Sequence, residues 1–164
     1  MFLPPAFQQP VPKPETGIAS LLQKHDAVLS LKRRAIGALY GQGTVEVESM
    51  EASDGTDTRK GVSLRVAGPG RNDPEGRALL ETTELPGLLA VLDRFQTEAL
   101  KLASGGGETT FTYTSTGGFS MELARGREGV AFILRAGRGG AVFTMSQIAA
   151  LKDLLTKARA ASGQ

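Results

Sequence analysis

The sequence predicts an α+β fold: two antiparallel four-stranded sheets with two helices, written twice along the chain as ββββα. Three observations carry this. Apolar and polar residues alternate with the two-residue period of half-buried strands over several short runs. Glycine-rich turns separate those runs. An apolar strand followed by a Ser or Thr turn and an amphipathic helix also occurs twice. Ala78-Leu79-Leu80-Glu81-Thr82-Thr83-Glu84-Leu85 stands against Ala141-Val142-Phe143-Thr144-Met145-Ser146-Gln147-Ile148, and Leu88, Val91 and Leu92 continue the match with Leu151, Leu154 and Leu155. A tandem repeat whose units cannot bury their apolar faces alone implies one shared core.

The elements follow in order. Residues 1–15, MFLPPAFQQPVPKPE, read as a flexible proline-rich arm. Residues 16–164 then form a single domain whose repeats span about 32–103 and 108–160. Ile18, Leu21 and Leu22 have helical spacing behind Thr16 as a cap. Periodicity leaves open whether that helix continues through Leu31 or gives way to a strand. Arg34 to Tyr40 reads as a strand and Gly41-Gln42-Gly43 as its turn. In the strand Thr44 to Met50, Val45 and Val47 share one face and Glu46 and Glu48 the other. Glu51 to Lys60 is polar and turn-rich, Gly61 to Ala67 alternates again, and Gly68 to Gly76 is a long hairpin loop. That loop's glycines lack the strand–GxxxxGK–helix arrangement of a phosphate loop. After the strand Arg77 to Glu81, Thr83 caps a helix buried through Leu85, Leu88, Val91, Leu92 and Phe95, with Pro86 in its permissive first turn.

Ser104 to Gly107 links the halves. Thr109 to Ser115, Phe119 to Arg125, Val130 to Leu134 and Ala141 to Thr144 are the strands of the second unit, and Ser146 caps its helix. Gly61-Val62-Ser63-Leu64 aligns with Gly129-Val130-Ala131-Phe132. Val130 to Leu134 is apolar on both faces, unlike its counterpart with Ser63 and Arg65. The excess apolar surface predicts a homo-oligomer, a dimer or tetramer.

Composition narrows the function. With no cysteine and one histidine, His25, the chain offers no thiolate metal site and little basis for Ser-His or Cys-His catalysis. Asp153 and Glu84 have no partner acid at catalytic spacing. No enzyme, cofactor or metal is therefore expected. No apolar run approaches a membrane span, and the proline-rich start is not a secretory signal. A soluble intracellular protein is expected, cytoplasmic and open to nucleoid association. The net charge of +2 is small but unevenly distributed. Residues 1–43 and 105–164 each carry +3, against −4 for 44–104, so a polyanion would prefer the two ends.

The basic candidates for nucleic-acid contact are Lys32, Arg33 and Arg34, then Arg125 and Arg127, and Arg135 and Arg138 beside hairpin turns. Each also has an ordinary role as a solvated turn residue or, for the first three, at a helix end. The stacking candidates are Tyr40, Phe111, Tyr113, Phe119 and Phe132, rings that equally suit a core.

The ββββα-ββββα order from Lys32 to Arg159 resembles the Whirly family and the related PUR-repeat proteins. The shared ending, a strand, a Ser/Thr turn and a helix opening -[Glu/Gln]-[Leu/Ile]-x-x-Leu-, is its most specific part. Lys32-Arg33-Arg34-Ala35-Ile36 is similar to the basic Lys-Gly-Lys-Ala-Ala-Leu strand of Whirly proteins, with Arg33 in place of its glycine. The resemblance implies binding of single-stranded DNA, favoured over RNA, largely without sequence preference, in DNA maintenance or transcription. It also implies helices packed at an oligomer core. The alternative is an oligomeric scaffold or protein-interaction module that keeps the fold without binding nucleic acid. The acidic face of Glu46 and Glu48 suits that alternative.

Overall fold

A computed structural model of the chain describes residues 17–105 and 108–162. The proline-rich arm, the cap expected at Thr16, and Gly106 and Gly107 of the linker lie outside the described residues. The order of elements is α1 (Ile18–Leu22), β1 (Ser30–Gly41), β2 (Gly43–Ser53), β3 (Thr58–Ala67), β4 (Glu75–Glu81), α2 (Leu85–Ala103), β5 (Phe111–Thr114), β6 (Phe119–Gly126), β7 (Gly129–Ala136), β8 (Gly139–Thr144) and α3 (Gln147–Ala161). A single 3-10 turn, Thr82–Glu84, leads into α2. Each unit is a four-stranded antiparallel meander, β1-β2-β3-β4 and β5-β6-β7-β8, so the α+β class and its tandem ββββα order hold.

Alternation makes each sheet two-faced. Val45, Val47, Val62, Leu64, Val66, Ala78 and Leu80 bury the inner face of the first sheet. Phe119, Met121, Leu123, Phe132, Leu134, Ala141 and Phe143 do so in the second. Leu85, Leu88, Leu92, Phe95, Ala99 and Leu102 of α2 and Ile148, Leu151, Leu155 and Ala158 of α3 join the same cluster, so both halves share one core. The helices are exchanged: α3 packs on β1 and β2, whereas α2 packs on β6 and β7. Phe95 of α2 meets Phe132 of β7 edge-to-face, with ring centroids 6.2 Å apart. In β1 the register slips between Ala35 and Gly37, and a Cβ on Gly37 would lie 2.6 Å from Leu154 of α3. The missing side chain lets the helix lie directly on the strand.

Several local expectations change. The N-terminal helix stops at Leu22 and β1 begins at Ser30, so Lys32, Arg33 and Arg34 lie inside a strand rather than at a turn or helix end. Strand pairing supplies the reason, since Arg33 stands opposite Met50 and Arg34 opposite Ser49. The polar stretch after Met50 is mostly strand, because β2 reaches Ser53 and β3 starts at Thr58. Neither Thr83 nor Ser146 caps its helix with a side-chain hydrogen bond. The expected pairing of the repeats is also displaced by two residues. Gly61 lies opposite Glu81, but the residue opposite Thr144 is Ala131, not Gly129. Face parity survives because the displacement is even.

The outer faces differ. On the first sheet α1 covers Met50, Ala52 and Leu79 with Ile18 and Leu21. No described element covers the second. No helix among the described residues is long and apolar enough to cross a membrane.

Candidate nucleic-acid interface

The edge strand β1 carries the densest group of cations. Its alternation places Lys32 and Arg34 on the face of Ser49 and Arg33 on that of Met50, and all three are exposed. Lys32, Arg34, Ser49, Glu51, Lys60, the last residue of α3, Ala161, and Ser162 just beyond it line a small cleft. A second hollow next to it runs between Arg34 and Lys157. Lys60, Lys32, Arg34 and Lys157 therefore form a basic strip at the mouth between β1 and the C-terminus of α3, interrupted on β2 by Glu51, which lines the same cleft. Glu51 lies between Lys32 and Lys60 in the register, yet none of the four cations makes an ion pair among the described residues. The helix C-terminus itself favours cations, which helps them tolerate one another.

At the opposite end of β1, Tyr40 is 73% exposed. The turn beyond it is tied to the other half of the molecule. Gln42 N–H donates to the Val142 carbonyl and Val142 N–H to the Gln42 carbonyl, both at 2.9 Å. Gln147, at the head of α3, donates from Nε2 to the Tyr40 carbonyl at 2.7 Å, while its Oε1 accepts the Thr144 N–H at 3.3 Å. Glu84 repeats this at the head of α2: Oε2 accepts the Glu81 N–H at 2.8 Å and Oε1 the Thr116 hydroxyl at 2.7 Å. The Glu/Gln of the repeated signature thus clamps its own strand end to the first hairpin of the other repeat.

The remaining cations are dispersed. Arg125 and Arg127 are exposed at the β6–β7 hairpin without ion pairs among the described residues, and both border a hollow with Thr109 and Thr110. Arg138 is exposed at the β7–β8 turn. Arg135 is engaged by Glu122 at 3.0 Å across the outer face of the second sheet. The same happens on the first sheet, where Arg65 pairs with Glu46 and lies 3.9 Å from Glu75. Both outer faces are thereby largely self-neutralised.

Of the rings, Phe119 and Phe132 are fully buried, and Phe111 and Tyr113 are half-buried on the inward face of β5 against the core. Burial and the nearby Glu84 carboxylate raise the Tyr113 phenol above its ordinary value. Among the described residues, only Tyr40 presents an open ring on the basic strand. Lys60 and Lys157 carry no signal in the sequence. One reaches the strip through the register of β3, the other through the exchanged packing of α3.

Compared with protein-family models the chain matches none, and no curated protein matches it either.

Proposed function

We propose that the protein binds single-stranded nucleic acid, DNA in preference to RNA, along the β1 edge and largely without regard to sequence. A role in DNA maintenance or transcription follows. The observation that supports this reading most is the strip Lys60–Lys32–Arg34–Lys157, four cations at one mouth of the fold that make no ion pair among the described residues. A polyphosphate backbone is the ligand whose charge repeats along such a strip. Phosphate contacts position a strand without reading bases, which accounts for weak sequence preference. Tyr40 at the far end of β1 supplies one sequence-tolerant stacking surface. Arg135, already engaged by Glu122, contributes less than the β1 cations.

The test is binding of a labelled single-stranded oligonucleotide over a salt series, with Lys32→Ala/Arg34→Ala against the parent. The double variant should weaken binding to every sequence alike, and the slope of log K on log salt should flatten by about 0.7 per lost contact. If the parent shows no salt-sensitive binding, the alternative prevails: a homo-oligomeric scaffold. The self-neutralised outer faces favour that second reading, and light scattering at micromolar concentration reads it directly.

A further inference from the structure

The register makes the outer faces of the two sheets comparable position by position. Relative to the strand that feeds each helix, Ala52, Gly61, Leu79 and Glu81 of the first sheet correspond to Gly126, Ala131, Val142 and Thr144 of the second. In the first sheet α1 fills this place. Ile18 lies so close that a Cβ on Gly61 would be 2.8 Å from it, and the Glu81 carboxylate accepts the N–H groups that begin α1. In the second sheet the same four positions line an open cleft of about 520 Å³. Thr144, which carries no charge, takes the place of the Glu81 carboxylate, so the feature that receives a helix start is missing.

What the cleft has instead is a different set of groups. Its floor is strand backbone with small side chains, which admits a flat ring at close range. Val142 and Ala131 form an apolar wall. Gln42, Arg127 and Glu128 also line it, and the Gln42 side-chain amide and the Arg127 guanidinium make no hydrogen bond or ion pair among the described residues. Gly41, which also lines the cleft, is the residue after the exposed Tyr40. From Arg34 to Gly41 β1 runs seven residues, roughly 23 Å at 3.3 Å per residue.

We infer that this cleft receives one unstacked nucleobase of a single strand that follows β1 from the basic strip, a proposal that rests on the function proposed above. The ring lies on the floor against Val142 and Ala131. The Gln42 amide, donor and acceptor at once, meets the polar edge of the base, and Arg127 meets the adjoining phosphate.

Gly126→Val gives a direct test. The backbone at Gly126 is outside the left-handed region, and a Cβ there meets nothing closer than the Gly129 carbonyl at 3.6 Å. The new side chain therefore occupies the cleft without crowding the fold, which an unchanged melting temperature verifies. Gln42→Ala is the second variant, since the Gln42 backbone bonds to Val142 remain. The probes are a labelled oligodeoxynucleotide, an abasic oligomer of equal length, and a peptide of residues 17–24. The parent should bind the base-bearing strand about tenfold tighter than the abasic one. Gly126→Val should cut that difference to what stacking on Tyr40 alone supplies while leaving abasic affinity unchanged, and Gln42→Ala should reduce it by less. Lys32→Ala/Arg34→Ala should weaken both strands. Equal binding of both strands by the parent, or no effect of Gly126→Val, overturns the base site and leaves the basic strip standing. Binding of neither strand removes both proposals. Peptide binding that Gly126→Val blocks, without base dependence, assigns the cleft to a helical partner and overturns the base site.

Discussion

The two halves share an arrangement of strands and a core, yet one outer face is closed and the other open. In the first half α1 adds a second apolar layer behind the sheet, held by Ile18 and Leu21 and by hydrogen bonds from its first N–H groups to Glu81. In the second half the corresponding stretch between α2 and β5 is short, and no described element covers β6 to β8. Duplicating a sheet therefore duplicates its seat without duplicating the occupant. The closed half spends its outer face on stability, and the open half leaves it available for a ligand.

The largest effect should come from the part the halves share. Leu155→Ala in α3 removes a fully buried side chain and should destabilise by about 2–5 kcal/mol. Because α3 packs on the opposite repeat's sheet, hydrogen exchange should accelerate in both sheets together. Loss of protection confined to β5–β8 would break the picture of exchanged helices.

Next comes the closed outer face. Ile18→Ala empties a fully buried position in the satellite cluster and should destabilise by about 2 kcal/mol, the low end for such truncations because a surface helix relaxes easily. Exchange should quicken around Met50, Ala52 and Gly61 while β6 and β7 keep their protection. A uniform response would mean that α1 is integral to the core. Glu81→Gln should cost about 1 kcal/mol. Its carboxylate accepts N–H groups from Ile18 at 3.1 Å and Ala19 at 3.4 Å, and an amide has only one accepting atom for the two. Equal melting of parent and variant would mean that apolar contact alone seats α1.

Two titrations sharpen the contrast with smaller effects. Tyr113 has its folded pKa raised above the unfolded value near 10, through burial and Glu84. Its contribution is thus complete below pH 10 and lost as pH rises through the folded pKa. Ultraviolet titration should show a phenol ionising late, and Tyr113→Phe should remove that step; if Tyr113 instead ionises at pH 10, the ring is open to water. Asp54 is opposite in sign. The Lys24 ammonium at 2.5 Å and the N–H groups of Asp57 and Thr56 hold its carboxyl well below the ordinary carboxylate range. Its contribution is present above the unfolded value of 3.8 and lost only as pH falls through the depressed folded one. Carbon NMR of Asp54 reads this, and a midpoint near 4 would mean that the tie between the segment after α1 and the β2–β3 hairpin does not form in solution.

The fold class was legible because side-chain periodicity is a local property. Val45 and Val47 alternating with Glu46 and Glu48 specify a half-buried strand wherever the strand is placed. Leu85, Leu88, Leu92 and Phe95 likewise specify a helix face. The repeat was legible for the same reason, though its alignment was two residues off across β3 and β7. Neighbours in sequence do not encode which residue of the next strand lies opposite, and hairpin lengths differ: β3 and β4 are joined by seven residues, 68–74, β7 and β8 by two, 137 and 138. The Glu/Gln opening each helix was visible as a pattern, while its clamp to the other repeat's hairpin was not.

By itself the sequence determined the elements, their order, their apolar faces and the cations available. Tertiary structure alone decided that the helices exchange sheets, that Lys60 and Lys157 join Lys32 and Arg34, that Phe111 and Tyr113 turn inward, and that one seat is filled while its twin stays open. Each of these depends on contacts between residues far apart in the chain, set by packing one shared core, and no local periodicity records which distant surface a face will meet.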